Sequence, residues 1–314
     1  MPRSPSSAHK PATRTRPATA RSSAPAGSGL DPAMRCDIAF RVVARRHLLR
    51  LTETHAETCA GDEDALHQMR VALTHLRACI LFFSPMVEDP DCAPIKDGLK
   101  WLNRRLGAVR DLDVAIGRIE TARSGKELPL FTLWKQKRTR KHRALARTLQ
   151  SARYRRLIKS TSEWIEIGPW STQAGESAEK ARSVAVLDYA LHKLARWEKR
   201  LLKKSRKLES LDVEKRHRLR LLNKKLNYAI DSCQELFSDK RFAKQATALK
   251  HLRKAQRYLG QLNDDAREQA LARKLDGNGE KTGLRSRLPG RESTLLEKTA
   301  AAYARLAKLK PFQT

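Results

Sequence analysis

The chain has 314 residues, with 65 Lys+Arg against 34 Asp+Glu, a formal net charge of +31 and a pI near 10.5. Hydrophobic residues make up 40% of it, enough to bury a real core, whereas aromatics at 5% are too sparse for a single-strand binder that stacks bases on aromatic platforms. So large a cationic excess repels itself in a compact body and is relieved by a polyanion, which narrows the partner to nucleic acid, an anionic membrane surface or polymeric phosphate.

Residues 1–30 are rich in Pro, Ala, Ser, Thr and Arg, with no acidic residue before Asp31. Such a composition cannot form a core and predicts a flexible basic tail. From Asp31 the pattern is helical almost throughout. A first helix is predicted near 33–58. Gly61-Asp62 interrupts it, and Asp62 or Asp64 is placed to cap a second helix near 64–84. There Met69, Leu73, Leu76, Ile80 and Phe83 recur at intervals of 4, 3, 4 and 3, the stripe of a core-facing helix. A third helix follows near 94–122 and a fourth, with a bend, near 129–167. Gly168 to Gly175 is a connection. Helices near 177–209, 213–238 and 241–274 come next, then a Gly-rich loop from Asp276 to Gly290 and a terminal helix near 291–309. No period-2 strand pattern stands out. The predicted fold is all-α: two pseudo-symmetric four-helix bundles from an internal duplication, spanning about 31–168 and 177–310.

The duplication shows in the polar positions. His67, Arg70, Thr74 and Arg77 are spaced 3, 4 and 3, and so are His217, Arg220, Lys224 and Asn227, with Lys225 adjacent. The histidines lie 217 − 67 = 150 positions apart. This spacing puts each set on one helix face. A second pattern, Lys100, Arg104, Gly107 and Asp111, recurs as Arg253, Arg257, Gly260 and Asp264. A mid-helix Gly costs about 1 kcal/mol relative to Ala, so its reuse predicts a close helix–helix approach. Asp111 and Asp264 are expected to orient a His or Arg of the neighbouring helix.

Other function classes find less support. Cys36, Cys59, Cys79, Cys92 and Cys233 are odd in number and contain no CxxC, which argues against a disulfide scaffold or structural zinc and for a reducing, cytoplasmic compartment. No apolar run is long enough to cross a bilayer, and no signal-peptide hydrophobic region is seen. Arg70 and Arg220 beside the histidines would repel a metal cation. No phosphate loop, nucleophile elbow or paired carboxylates is found, so no catalysis and no cofactor are expected, although a phosphohistidine stays open. Nonspecific nucleic-acid binding remains the main rival on charge alone, without zinc-finger, basic-zipper or RNA-recognition signatures.

The segments His67-Gln-Met-Arg-Val-Ala-Leu-Thr-His-Leu-Arg77, Leu106-Gly-Ala-Val-Arg-Asp-Leu-Asp-Val114 and Ser151-Ala-Arg-Tyr-Arg-Arg-Leu157 resemble first-half signatures of the CHAD domain family. His217-Arg-Leu-Arg220, Lys224-Lys225-Leu-Asn-Tyr228 and Leu259-Gly-Gln-Leu-Asn-Asp264 resemble its second-half signatures, and the likeness covers roughly residues 33–275. The family usually shows an Arg pair where this chain has Thr74-His75, and an Arg at Asn227. The resemblance implies a basic groove or pore between two bundles, inorganic polyphosphate as ligand, and association with polyphosphate granules. The binding role is expected of His67, Arg70, Arg77, Lys100, Arg104, His217, Arg220, Lys224, Lys225, Arg253 and Arg257, the basic members of the repeated patterns and Lys225 beside them, with Arg45, Arg46, Arg153, Arg156, Lys203 and Lys204 of the other helices as further candidate donors. The chemistry suits the polymer. Stripe positions about 5–6 Å apart can meet successive phosphates, Arg with a forked donor set and Lys as a point charge.

Overall fold

In a computed structural model of the chain, residues 29–122, 129–237, 239–276 and 291–312 are described. The basic tail up to residue 28 and the Gly-rich loop from 277 to 290 lie outside them. The described residues are helical, with no strand beyond one isolated bridge. In chain order the α-helices are α1 (Cys36–Glu53), α2 (His55–Ala60), α3 (Glu63–Phe82), α4 (Ser84–Val87), α5 (Cys92–Ala122), α6 (Pro129–Leu149), α7 (Ala152–Ile167), α8 (Glu176–Ser183), α9 (Val186–Ser205), α10 (Val213–Ser232), α11 (Asp239–Asp276) and α12 (Arg291–Leu309). Among these helices none is long and apolar enough to cross a membrane.

Three expected helices are divided. The first ends at Glu53 and restarts at His55. The fourth breaks rather than bends: the Ser151 hydroxyl caps a new helix by accepting from Tyr154 N at 3.3 Å. The fifth breaks at Val184-Ala185 because the chain there pairs with the segment entering α1. Cys36 N donates to Val184 O at 3.1 Å, and Val186 N donates to Met34 O at 2.8 Å. Two helix starts thereby satisfy each other's orphan N–H groups, with no side-chain cap on either. The bridged residues, Arg35 and Ala185, are 185 − 35 = 150 apart, the offset of the histidines. The same offset relates the caps of α3 and α10. Asp62 accepts from Ala65 N at 2.6 Å, and Asp212 accepts from Lys215 N at 2.7 Å.

In the first half α1 packs on α3, α3 on α5, α5 on α7, and α7 returns to α1, with α6 laid along α5 and α2. In the second, α9, α10, α11 and α12 contact in the same cyclic order. The halves meet where α3 touches α10 and where α1 touches α8 and α9. One continuous core runs through both, from Phe40 and Leu73 to Leu226 and Leu252. Phe40 meets the edges of Phe83, Trp164 and Trp170 at centroid distances of 5.1–5.7 Å. Across the junction, Tyr189 stacks on Phe83 at 5.5 Å, and its hydroxyl donates to Phe82 O at 2.6 Å. Aromatic pairs of this kind add about 0.5–1.5 kcal/mol beyond area burial.

His47 of α1 lies against this junction, 7% exposed, its ring 5.0 Å from that of His75 on α3. Burial, then His75, Arg50 and Arg46, holds it down to about 3, and its Nε2 has no hydrogen-bond partner. A histidine with a folded pKa below the unfolded value near 6.5 costs nothing above that value. As pH falls from 6.5 toward 3, the unfolded chain binds a proton that the folded chain refuses, so stability falls. His47→Leu should therefore remove about 2 kcal/mol of the destabilisation between pH 7 and pH 5, read by urea unfolding at both values. Parallel losses in variant and parent would sink this assignment. Burial also holds His75 below its usual value, against the partial pull of Asp231, so a residual slope of the same sign remains.

Candidate anion-binding site

The two cationic stripes lie on α3 and α10, the helices that touch between the halves. On α3 the Arg70 guanidinium reaches over Gly107 of α5, so closely that a Cβ there would sit 3.0 Å from its Nη1. On α10 Arg220 reaches over Gly260 of α11, where a Cβ would sit 3.8 Å from Nε and Nη2. The sequence predicted a close helix–helix approach at these glycines. What each one admits is a guanidinium from the facing helix, in both halves.

Arg70 and Arg220 both act electrostatically on Lys224, whose ammonium is held below its usual pKa by burial, then Arg220, then Arg70. Three cations from the two halves therefore converge at the α3–α10 contact. Their neutralisation is weak. Asp111, expected to orient, approaches Arg70 only to 4.0 Å, and Arg70 Nη1 has no hydrogen-bond acceptor. Asp264 forms no ion pair among the described residues. No carboxylate lies within ion-pair range of Arg220 or Lys224 among those residues. The Gln256 amide lies 3.1 Å from Arg220 Nε instead. Tyr228 closes the cluster, its ring edge-on to His75 at 4.9 Å across the junction. Thr74, which matches Lys224 in the repeat, is half-buried and donates its hydroxyl back to Arg70 O at 2.7 Å.

His67 is exposed at the start of the α3 stripe. Partial desolvation, then Arg110 and Arg70, lowers its pKa against the opposing pull of Asp64. It is neutral near pH 7 and offers one hydrogen bond. His217 is partly exposed at the matching place on α10, and Lys225 points to solvent beside Lys224. Arg77 is half-buried with no carboxylate partner among the described residues, and burial lowers its pKa. Lys100 and Arg257 are exposed and likewise unpaired there.

The remaining sequence candidates divide between engaged and exposed side chains. Arg253 pairs with Asp231 at 2.9 Å, a carboxylate the sequence reading overlooked. Arg104 lines a separate hollow between α5 and α6. Arg45 is bound by both carboxylate oxygens of Glu166, with its Nε at 2.8 Å, and Arg46 by Glu235 at 2.7 Å. Arg153 lies over the Trp101 ring at 4.3 Å. Arg156, Lys203 and Lys204 are exposed on α7 and α9. Among the described residues no group of three or more His, Cys, Asp or Glu is placed to hold a metal ion.

A family model of the CHAD domain matches residues 42–273. The crystal structure of the CHAD domain from the plant Ricinus communis resembles the chain with a TM-score of 0.64 and 24% identity, covering 89% of each chain. No curated protein matches.

Proposed function

Since the chain belongs to the CHAD domain family, we propose that it binds inorganic polyphosphate without turning it over, through basic helix faces of two pseudo-symmetric four-helix bundles. The polymer runs in a groove at the α3–α10 contact and brings the protein to polyphosphate granules in the cytoplasm. The pseudo-symmetry is supported by the bridge between Arg35 and Ala185, the matched caps Asp62 and Asp212, and the matched seating of Arg70 on Gly107 and Arg220 on Gly260.

One observation carries this reading. Arg70, Arg220 and Lys224 come together from both halves with no carboxylate closer than 4.0 Å among the described residues, so the fold holds like charges in a partly desolvated place. That arrangement costs stability unless an anion occupies it. A threadlike polyanion carrying about one charge per phosphate meets successive donors along both stripes without any base to be read. His67 and His217 add hydrogen bonds at the stripe ends, and a phosphate beside His67 opposes the lowering of its pKa by charge attraction. Affinity should then rise as pH falls from 8 to 6.

The test is competition at physiological salt, at both pH values. Long-chain polyphosphate should displace DNA of equal total charge, more effectively at pH 6. Equal displacement by the two polymers would favour the nonspecific nucleic-acid reading.

A further inference from the structure

The hollow between α5 and α6 lies apart from the α3–α10 contact and has a different composition. It encloses about 370 Å³. Arg104 and Arg105 of α5 and Lys141 of α6 stand in its wall, all exposed, and none has an ion-pair partner among the described residues. The rest of the lining is Ala108, Val109, Ala144 and Leu145, closed by Trp101 and Thr148. The Trp101 ring is held by the Arg153 guanidinium from α7, and its Nε1 is a buried donor with no acceptor. Three cations and an apolar floor within one cavity ask for a ligand that is itself divided, strongly anionic at one end and flat and apolar at the other.

We propose that this hollow is a second anion site that takes a nucleoside polyphosphate, with the phosphates against Arg104, Arg105 and Lys141 and the base over Ala108, Val109, Ala144 and Leu145. A bare phosphate chain would satisfy the cations and leave the floor unused. A fatty acid would cover the floor but bring only one charge to three cations. The volume lies in the range of small-ligand sites, about 300–1,000 Å³. Arg presents forked donors suited to phosphate oxygens, and Lys141 adds a point charge from the opposite wall.

The experiment is isothermal titration of the full chain with ATP and with inorganic tripolyphosphate at physiological salt. The two ligands share the triphosphate and differ in the nucleoside. ATP should bind at least about fivefold more tightly, the increment of a modest apolar contact. Ala108→Trp fills the hollow from a solvent-facing position and should abolish that preference. Lys141→Glu should weaken ATP about tenfold or more. A third variant, with Arg70, Arg220 and Lys224 replaced by Ala, should keep the ATP preference while losing long-chain polyphosphate, so the two sites fail independently. Equal affinity for ATP and tripolyphosphate, or an ATP preference unchanged in Ala108→Trp, would overturn the proposal.

Discussion

Replacing Arg70, Arg220 and Lys224 together by Ala should weaken binding of long-chain polyphosphate about 100-fold at physiological salt. The expectation follows from three charged contacts at about 1 kcal/mol each and about 1.4 kcal/mol per tenfold in affinity. The salt dependence is the sharper readout. Each phosphate contact releases counterions and contributes about −0.7 to the slope of log affinity on log salt for a single-stranded polyanion. Loss of three contacts should flatten that slope by about 2. A comparison variant with Lys137, Arg140 and Arg143 of α6 replaced by Ala removes the same formal charge from exposed positions. It should lower affinity by less than about tenfold, because diffuse surface charge is screened within a Debye length. If both variants shift the affinity and the slope alike, net charge rather than the α3–α10 cluster governs binding.

The parts of this cluster were unevenly legible in the sequence. The stripes could be read because helix period fixes the face: residues 3 and 4 apart stay neighbours whatever surrounds them. The repeated glycines signalled that something approaches α5 and α11, but not what. Only the packing of α3 on α5 and of α10 on α11 shows Arg70 and Arg220 in those places. The ion pairs were invisible for a related reason. Asp231 lies 22 residues from Arg253, Glu235 lies 189 from Arg46, and Glu166 lies 121 from Arg45. Fixed local spacing says nothing of such partners. Arg104 has the right spacing for the stripe, yet it lines the α5–α6 hollow, since a three-residue step leaves it about 60° round the helix from Gly107, enough to point a long side chain to the next neighbour. The break at Val184-Ala185 depends on backbone pairing with Met34 and Cys36, about 150 residues earlier, which no local propensity reports. The Gln150-Ser151 break was more accessible, because Ser151 is a good cap placed before a helical run.

The two halves also differ inside their cores, and that leads to the last expectation. Leu48 on α1 is 7% exposed, and the position 198 − 48 = 150 residues later on α9 is Glu198, also 7% exposed. Its Oε1 has no hydrogen-bond partner, and burial pushes its pKa up to about 7. The unfolded carboxyl titrates near 4.5. Below that value both states are neutral and the raised pKa costs nothing. As pH rises from 4.5 through 7 the unfolded chain gives up its proton first, and stability is lost. Glu198→Leu supplies the residue found at the matching position of the first half and abolishes the ionisation. The variant should gain about 3 kcal/mol on the parent between pH 4.5 and pH 8, at about 1.4 kcal/mol per pKa unit. Urea unfolding at both pH values measures it, and subtracting the two curves cancels the opposite acid-side slope of His47, which both proteins share. A constant difference across that range would mean the carboxylate finds compensation in the fold. A gain that grows with pH would mark Glu198 as a charge the second half carries at the expense of its own stability.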